Sequence, residues 1–359
     1  MINKRKEVFV VGTVGLPACY GGFESLVDNL TLNTTSKYSY TVFCSKKNYD
    51  VIYESYNNSR LIYLPLDANG VSSIFYDILS LFICLYRKPD VVLILGVSGA
   101  IFLPFYKLFS RSKVITNIDG LEWKRDKWGQ FTKRFLKFSE RLAVKFSDVV
   151  VSDNQAITDY VREEYFIESQ TIAYGGDHAI RQLVVDEKDS IVNYSLSICR
   201  VEPENNVDLI LDAFSKTLKE LKFVGNWDSS EFGRELKARF SIFPNIHIID
   251  PVYDLDELFK LRIGCDSYIH GHSAGGTNPS LVEMMHFGKP ILAFDCSFNR
   301  YSTEDKALFF SNSSDLLSLL NNNLISKIDG SQMKEIASRL YTWPIITRAY
   351  EAIYSKEIK

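Results

Sequence analysis

One late stretch reads His270-Gly-His-Ser-Ala-Gly-Gly-Thr-Asn-Pro-Ser-Leu-Val-Glu-Met-Met-His-Phe-Gly-Lys-Pro-Ile-Leu-Ala-Phe-Asp295, and the organisation of the chain is best understood from it. A predicted strand, Cys265 to His270, leads into a glycine-rich loop, which is followed by a helix, a turn and a buried strand. Pro279 suits the first turn of that helix because its missing N–H is not needed there, and Thr277 and Asn278 are good capping residues. This order of elements is typical of an α/β protein.

The same loop has the features of a nucleotide-diphosphate site. A helix start presents unpaired N–H groups and the positive end of a dipole, which suit a phosphate. Gly275 and Gly276 let a ligand approach the backbone, and Ser280 lies in the first turn. Glu283 lies about one turn from the helix start, where its carboxylate could accept hydrogen bonds from ribose hydroxyls. The spacing fits equally an ordinary strand-loop-helix connection in which Glu283 only favours the helix dipole.

Composition narrows the class of protein. The chain has 359 residues, a formal net charge of −3, 46% hydrophobic residues and 24% charged residues. The length suggests about two domains, and the composition is ordinary for a globular protein. The sequence has neither a basic excess nor the aromatic-rich basic motifs of nucleic-acid binders. Because the N-terminus passes directly into a strand without the apolar segment of a signal peptide, we expect a cytoplasmic protein.

The first half alternates predicted strands with segments of helical length. A strand at Val8–Gly12 precedes a loop with Gly12, Gly15, Gly21 and Gly22, whose spacing differs from the G-x-G-x-x-G of NAD enzymes. Further strands are predicted at Tyr40–Cys44, Leu61–Leu64, Val91–Leu95, Val114–Ile118 and Val149–Ser152. The alternation predicts a doubly wound parallel sheet. The apolar run Ile74–Tyr86 is too short for a membrane span, which needs roughly 20 residues, so we interpret it as a buried or membrane-grazing helix.

Asp119 closes one of these strands. Its place predicts a position at the carboxyl edge of the sheet, where α/β proteins bind ligands. A carboxylate there could orient or deprotonate an acceptor hydroxyl, although a turn aspartate that caps the next segment has the same pattern.

A basic amphipathic stretch follows at Glu122–Ser147. Its aromatic and aliphatic positions recur at helical spacing, and its lysines and arginines fill the other face, a pattern typical of a helix that lies on an anionic membrane. A core-packing helix with a solvated basic face has the same pattern. The stretch includes Lys124, Arg125, Lys127, Lys133, Arg134, Lys137, Arg141 and Lys145.

The second half restarts the alternation after a polar segment, Asp186–Asp189, where we place the domain boundary, near residue 185. Strands are predicted at Tyr194–Cys199, Leu221–Val224 and Ile246–Ile249. Arg200 directly follows the strand Tyr194–Cys199, at its carboxyl end. A guanidinium at this place can bind a diphosphate in bidentate fashion. The D-x-D sequence Asp254-Leu-Asp256 precedes a helix, and capping explains it better than metal binding. We therefore expect no metal.

Several motifs together resemble those of known enzymes. The run Thr277–Ala293 resembles the nucleotide-binding helix of family-4 glycosyltransferases, in which a glutamate precedes a Gly-x-Pro turn. The run Val11-Gly-Thr-Val-Gly-Leu-Pro-Ala-Cys-Tyr-Gly-Gly-Phe-Glu24 is similar to the opening of a narrower branch, the bacterial rhamnosyltransferases of capsule, cell-wall and O-antigen polysaccharides. The resemblance extends to three further motifs and so covers nearly the full length: Gly120-Leu-Glu-Trp-Lys-Arg125, Tyr174-Gly-Gly-Asp-His178 and Arg200-Val-Glu-Pro-Glu-Asn-Asn206.

The resemblance implies a GT-B fold, with two Rossmann-like, doubly wound parallel-sheet domains that face a central crevice. We expect an acceptor-side domain at 1–185, a nucleotide-sugar domain at 186–340, and a helix at 341–359 that crosses back to the first domain. It implies three groups of site residues. The donor site comprises Arg200, Gly275, Gly276, Thr277, Asn278, Ser280 and Glu283; the diphosphate or acceptor loops comprise Gly21, Gly22, Glu24 and Asp177; the catalytic candidates are Asp119, His270 and His272.

The chain departs from the broad family at two positions. The lysine that usually lies five residues after the arginine is Asn205 here, and the first of the usual two glutamates, which normally contacts the sugar, is Gly275. Recognition of the sugar must therefore use other groups, and His270 and His272 flank the site. A histidine near a loop is also often a structural hydrogen bonder.

The expected reaction, from the resemblance, is metal-independent transfer of L-rhamnose from dTDP-L-rhamnose to a sugar on a polyprenyl diphosphate, with retention of configuration. We expect a peripheral protein on the inner face of the bacterial plasma membrane, attached through residues 122–147. The rival hypotheses are a nucleotide-sugar epimerase, a transferase for another nucleotide sugar, a two-domain sugar-binding protein, and an inactive partner subunit of a glycan-assembly complex.

Overall fold

The chain forms two compact units. A computed structural model describes residues 5–19, 21–124, 128–183, 193–322, 325 and 329–356. Unit 1 comprises Met1–Tyr174 and Trp343–Lys359, and unit 2 comprises Gly175–Thr342. The boundary expected at residues 185/186 lies within 184–192, outside the described residues. Arg125 and Lys127 of the basic stretch also lie outside them.

Unit 1 is built on a largely parallel sheet. Its described elements up to Tyr174 are β1 (Lys6–Val11), α1 (Gly22–Asn33), β2 (Tyr38–Ser45), β3 (Ser55–Tyr56), β4 (Ser59–Leu64), α2 (Ser72–Arg87), β5 (Val91–Leu95), α3 (Leu103–Phe109), β6 (Lys113–Asn117), α4 (Gln130–Phe146), β7 (Val149–Ser152), α5 (Gln155–Tyr165) and β8 (Gln170–Thr171). Among the described residues, eight strands lie in the order β3-β4-β2-β1-β5-β6-β7-β8. Only the short β3–β4 pair of these is antiparallel.

The central strands of unit 1 are apolar because helices cover the sheet. All five residues of β5 are buried, and this strand pairs with β1 from Val8 opposite Val91. A strand buried on both faces reads as a continuous apolar run rather than an alternating one. Since these strands are parallel, the loops that follow β1, β5 and β6 leave the sheet at one edge.

Unit 2 repeats the alternation. Its described elements are β9 (Tyr194–Ile198), α6 (Val207–Phe214), β10 (Glu220–Val224), α7 (Glu231–Phe240), β11 (Ile246–Ile249), α8 (Leu255–Gly264), β12 (Ser267–His270), α9 (Pro279–Met285), β13 (Ile291–Phe294), α10 (Ser297–Ser302), β14 (Leu308–Phe310), α11 (Ser313–Asn321) and α12 (Ser331–Leu340). In the part of unit 2 that the structure describes, six strands pair in parallel, in the order β11-β10-β9-β12-β13-β14. One core cluster includes Phe214 of α6, Phe223 of β10 and Trp227.

The last helix, α13 (Trp343–Ser355), belongs to unit 1. The buried Glu351 accepts hydrogen bonds from the Thr35 backbone N–H at 2.8 Å and from the Thr34 hydroxyl at 3.1 Å. Tyr38 donates its hydroxyl proton to the Glu351 carbonyl at 3.0 Å. The helix therefore completes the turn between α1 and β2.

The predicted α/β class and parallel sheets are confirmed. The stretch predicted as one segment at 122–147 consists of a 3₁₀ turn at Glu122–Lys124 and, after Gly129, the helix α4. The pattern did not predict the short strands β8 and β14 or the helices α3, α10, α11 and α12. No helix within the described ranges is both long and apolar enough to cross a membrane.

Candidate active site

Two loops at the carboxyl ends of β9 and β12 form one structural block in unit 2. These strands are neighbours in the sheet, with Tyr268 opposite Leu196. The Ser273 backbone N–H donates to the Glu204 carbonyl at 2.9 Å, and the Asn206 side-chain amide donates to the Gly271 carbonyl at 2.8 Å. A Cβ at Gly271 would lie 2.1 Å from the Asn205 carbonyl oxygen. The close approach of the two backbones therefore requires glycine.

Asn205 connects these loops through its side chain. It is 3% exposed, its Nδ2 donates to the Arg200 carbonyl at 2.8 Å, and its Oδ1 lies 2.7 Å from Nδ1 of His272. His272 is 7% exposed, and its own carbonyl accepts a hydrogen bond from Asn299 at 2.8 Å. Asn205 is thus a structural link within the predicted donor site, at the position where the broad family usually has lysine.

His270 ends β12 and is 2% exposed. Its ring stacks on Tyr268 and lies 6.0 Å from the ring of His272, centroid to centroid. Burial, and then the nearby His272, lower the pKa of His270 well below its usual range. Its Nε2 has no hydrogen-bond partner in the structure. A buried polar atom without a partner is rare, so this nitrogen remains a candidate for ligand contact.

The glycine-rich loop leads into α9 as the sequence predicted. Gly275 has φ +115°, which a residue with a side chain rarely adopts. Thr277 is buried, and Asn278 caps the helix by accepting a hydrogen bond from the Ser280 N–H at 3.0 Å. Pro279 is the first helical residue. Gly276 is also buried within this turn.

Glu283 of α9 is held by two basic side chains. Arg262 of α8 donates through Nη2 to Oε2 of Glu283, and His178 Nε2 lies 3.3 Å from Oε1. Burial raises the pKa of this carboxyl, but Arg262 and His178 more than offset it and hold the pKa below its ordinary value. Glu283 is therefore an ionised, partly buried carboxylate. In this arrangement both of its oxygens already have basic partners.

Arg262 is a residue of the candidate site that the sequence reasoning missed. It is 5% exposed, and its Nε has no hydrogen-bond partner. The available signal was an arginine among the apolar residues that precede β12, because a buried arginine requires an acidic partner. The sequence does not indicate which carboxylate that partner is.

The Gly175–His178 loop packs directly on α9. A Cβ at Gly176 would lie 2.7 Å from the backbone nitrogen of Glu283, so this position has room only for glycine. The Gly176 N–H donates to the Tyr341 carbonyl at 2.8 Å, and His286 Nε2 lies 2.9 Å from the same oxygen. Burial lowers the pKa of His286, and the charge of Asp177 opposes that effect. Asp177 is thus a neighbour of His286.

Arg200 and the D-x-D sequence have distinct settings in unit 2. Arg200 keeps 42% of its side chain exposed, with Glu202 3.6 Å away. Asp254 caps α8 by accepting hydrogen bonds from the N–H groups of Asp256 and Glu257, which agrees with the capping interpretation. Asp256 also forms an ion pair with Arg181 at 3.0 Å.

In unit 1, Glu24 stabilises the loop that follows β1. Its Oε1 accepts hydrogen bonds from the Thr13 hydroxyl at 2.9 Å and from the Val14 N–H at 2.8 Å. Gly21 has φ +145°, and a Cβ there would lie 2.0 Å from Glu24 Oε2. Glu24 is buried. Its contacts in this structure are therefore with the loop itself.

Asp119 and Gly22 both border Tyr174. Asp119 follows β6 with φ +59°, and its N–H donates to the Asn117 side chain at 3.1 Å. A Cβ at Gly22 would lie 3.4 Å from the Tyr174 hydroxyl. Burial, and then the charge of Asp119, raise the pKa of Tyr174 well above its usual range. The structure thus brings two predicted acceptor-side segments to one buried tyrosine.

Structural comparisons identify the fold. Sucrose-phosphate synthase from Thermosynechococcus elongatus is similar over 98% of both chains, with a TM-score of 0.76 and 13% identity. Anabaena HepE in complex with UDP is similar over 98% of this chain and 99% of that chain, with a TM-score of 0.73 and 13% identity. The lipopolysaccharide outer core galactosyltransferase WaaB, in its apo form, is similar over 99% and 100%, with a TM-score of 0.67 and 14% identity. The chain has the GT-B fold.

Family models match both halves of the chain. Residues 5–177 match the domain of unknown function DUF1972, and residues 180–335 match glycosyl transferases group 1. No curated protein matches the sequence significantly. Asn205, His270, His272 and Glu283 all lie within the second match. The N-terminal part of the protein is therefore similar to the DUF1972 domain, and the C-terminal part is similar to glycosyl transferases group 1.

Proposed function

We propose that this protein is a hexosyltransferase that moves L-rhamnose from dTDP-L-rhamnose to a sugar carried on a polyprenyl diphosphate, in the synthesis of a bacterial surface polysaccharide. The observation that carries the proposal is the cluster at the ends of β9 and β12, in a group 1 glycosyltransferase domain. A solved structure of HepE, which shares the fold, contains UDP-glucose. That precedent supports a nucleotide sugar as the donor.

The choice of rhamnose rests on the motifs at the N-terminus and on one chemical feature of the site. Position 275 is glycine, so the site lacks the carboxylate that normally contacts the sugar in the resembling family. A deoxy sugar offers fewer hydroxyl groups to such a carboxylate. The loss of the carboxylate is therefore compatible with rhamnose.

In the proposed reaction the charge of the leaving diphosphate is stabilised by the protein itself. Arg200, whose guanidinium is substantially exposed at the end of β9, binds the diphosphate together with the loop at Gly275–Ser280. Such preorganised donors stabilise charge that develops in the transition state. Asp119 orients the acceptor hydroxyl. We propose retention of the anomeric configuration and no requirement for a metal ion.

We also propose that unit 1 docks on an anionic membrane, where a polyprenyl-linked acceptor resides. Exposed cations of α4 lie beside exposed aromatic rings, and Phe131 is 87% exposed. One face of α2 carries Phe75, Phe82 and Tyr86, and the N-cap residue Val71 lies in line with them; these four side chains are 59–82% exposed. The helix α3, with exposed Leu108 and Phe109, packs against both α2 and α4. Exposed apolar and basic residues on adjoining helices are typical of an interfacial surface.

The deciding experiment is a transfer assay with purified protein, a panel of nucleotide sugars and a short-chain polyprenyl-diphosphate-sugar acceptor, with and without EDTA. We expect transfer from dTDP-L-rhamnose alone, unaffected by EDTA. Transfer from a different donor would support the glycosyltransferase function and would rule out rhamnose as the transferred sugar. Interconversion of a nucleotide sugar without acceptor would instead identify an epimerase.

A further inference from the structure

Unit 1 contains a wide groove beside α4, here called the α4 groove. It is lined by α4, by residues 164–167 at the end of α5, and by Trp123 and Lys124 of the preceding 3₁₀ turn. Its volume is about 1100 Å³, comparable to the roughly 300–1,000 Å³ of small-molecule sites. The groove is therefore large enough for a ligand of that size.

The α4 groove is strongly basic. Among the described residues that line it, one side chain, Glu164, is acidic, and six are cationic: Lys124, Lys133, Arg134, Lys137, Arg141 and Lys145. Glu164 is already paired with Lys137 at 3.0 Å. Arg134 and Arg141, at positions i and i+7, lie on one face of α4. An excess of cations suits a ligand with several negative charges, and guanidinium groups bind phosphate oxygens in bidentate fashion.

One end of the α4 groove is ordered by a buried carboxylate. Glu140 is 1% exposed and accepts hydrogen bonds from Nε1 of Trp123 at 3.0 Å and from the hydroxyl groups of Tyr160 and Tyr165 at 2.6 Å and 2.5 Å. The ammonium group of Lys137 lies 4.6–5.0 Å from the centroids of these three rings. Because this part of the lining is already ordered, binding there costs little side-chain entropy.

Exposed aromatic rings accompany the cations of the α4 groove. Phe138 is 57% exposed and Phe166 is 90% exposed, and both line the groove. Phe166 has φ +57°, a left-handed conformation that is uncommon for a bulky residue. Large rings exposed to water beside cations suit a ligand in which an apolar part adjoins a charged part.

We propose that the α4 groove binds the diphosphate group of the lipid-linked acceptor, with Arg134 and Arg141 on the phosphates and with Phe138 and Phe166 against the prenyl chain. The inference rests on the proposed function and deepens it, because the membrane proposal gives only a general attraction to anionic lipid, whereas the groove gives the acceptor a specific site.

The position of the α4 groove along the chain agrees with this assignment. Trp123 follows Asp119 by four residues, so their Cα atoms are at most about 14 Å apart. Asp119 is the residue proposed to orient the acceptor hydroxyl. The separation suits a ligand whose diphosphate lies in the groove while its sugar extends towards Asp119.

The first test is calorimetric titration of the whole protein with geranyl diphosphate, a soluble ligand that needs no membrane. Excess dTDP occupies the proposed donor site, so the titration reports a separate diphosphate site. We expect geranyl diphosphate to bind, inorganic pyrophosphate to bind more weakly, and geraniol not to bind. Equal affinities for pyrophosphate and geranyl diphosphate would overturn the assignment to a lipid, and no binding of either would overturn the site.

The double variant Arg134→Gln/Arg141→Gln locates the site. Both arginines are exposed, so the fold should be kept. Loss of their charge-assisted hydrogen bonds should weaken binding of geranyl diphosphate about a hundredfold. The matched control, Lys37→Gln/Arg60→Gln, removes the same charge from exposed positions of the same unit and should bind as the wild type does. Equal weakening in both variants would indicate attraction by net charge and would overturn the groove.

The transfer assay separates this inference from the proposed function. In the arginine variant, KM for the short-chain acceptor should rise about a hundredfold, and KM for the nucleotide sugar should not change. If the wild type transfers no sugar from any donor but binds geranyl diphosphate through these arginines, the proposed function fails while the binding site stands. If the wild type transfers sugar and the arginine variant keeps the wild-type KM for the acceptor, only the groove is overturned. Circular dichroism of both variants establishes that the fold is intact before affinities are compared.

Discussion

Glu283 and Arg262 show how much of a site can depend on one buried pair. Removing both charges from water is costly, so such a pair contributes little net stability, but loss of one member leaves the other charge buried and unpaired. Both side chains are largely buried, and His178 provides a second contact to the carboxylate. The conformation of α9 and the Gly175–His178 loop should therefore depend on both charges.

We predict that Arg262→Met and Glu283→Gln each destabilise unit 2 by about 3–5 kcal/mol, because each leaves a buried charge without its partner. The double variant should cost less than the sum. Since the folded pKa of Glu283 is lowered, this stabilisation is present above about pH 4.3, the unfolded value, and is lost as the pH falls through the folded pKa. Urea unfolding of the three variants measures these costs. Strict additivity would contradict the assigned coupling.

The second prediction concerns Asp77 of α2 and the dependence of the stability of unit 1 on pH. Burial raises its pKa to about 7, although the Ser98 hydroxyl and the Gly99 N–H donate hydrogen bonds to its Oδ2. The native state thus keeps this proton up to about pH 7, whereas the unfolded chain releases it near pH 3.9. Native unit 1 should lose stability as the pH rises between these values, by on the order of 4 kcal/mol.

In Asp77→Asn this part of the pH dependence should disappear. Urea unfolding at pH 4.5, 6 and 8 checks it, with Asp50→Asn, an exposed position of the same unit, as the control. If the free energy of unfolding changed with pH in the same way in the wild type and in Asp77→Asn, the carboxyl of Asp77 would not be the cause of the pH dependence.

Local residue patterns predicted local contacts well. Asn278 and Pro279 start α9 as their capping preferences require, and Asp254 caps α8. The contacts of Glu283 were not predictable, because Arg262 and His178 approach it from other elements, and only the folded sheet brings them together. For the same reason the sequence indicated that Asn205 departs from the family pattern but gave no sign that it contacts His272.

At the scale of elements, long apolar runs were predictable and short ones were not. Val91–Leu95 is buried at every position, which its composition indicates directly. The strand β8 has two exposed residues, and β14 has three residues. Elements of this size are shorter than the run of roughly four to eight residues over which alternation identifies a strand, so their pairing with a neighbouring strand determines them rather than their composition.

The basic face of α4 leads to the third prediction. Arg134, Arg141 and Lys145 are exposed, and each cation near an anionic bilayer contributes about 1 kcal/mol to binding. Changing all three to serine should therefore weaken the affinity for anionic liposomes about a hundredfold. Co-sedimentation with the liposomes measures this affinity. The wild-type interaction should weaken at high salt because ions screen exposed charges.

The matched control for α4 changes three exposed cations of unit 2, Lys216, Arg239 and Lys334, to serine. These changes remove the same net charge from a surface that has no assigned membrane role. Equal losses in both triple variants would indicate attraction by net charge alone. An absence of binding by the wild type at low salt would reject the membrane proposal.

At the scale of the whole molecule, unit 1 is built from two separate parts of the chain, its first segment and its last. After unit 2 the chain ends in α13, which belongs to unit 1. Asn117 donates to the Tyr350 hydroxyl at 3.0 Å, and Lys113 donates to the Lys356 carbonyl at 2.5 Å. The stability of the N-terminal unit should therefore depend on the C-terminal residues of the chain.

We predict that Glu351→Ala destabilises unit 1 and leaves unit 2 unchanged. The change removes the carboxylate that accepts hydrogen bonds from the Thr35 N–H and the Thr34 hydroxyl, and a hydrogen bond to a charged group contributes about 1.5–3 kcal/mol. Hydrogen exchange measured by peptide should show faster exchange in β1 and β2, the strands next to this turn, and wild-type rates in β9 and β12. Glu335→Ala, at an exposed site on α12 of unit 2, is the matched control. Uniform acceleration in both units would mean that they unfold together, and the description of α13 as a part of unit 1 alone would then have to be abandoned.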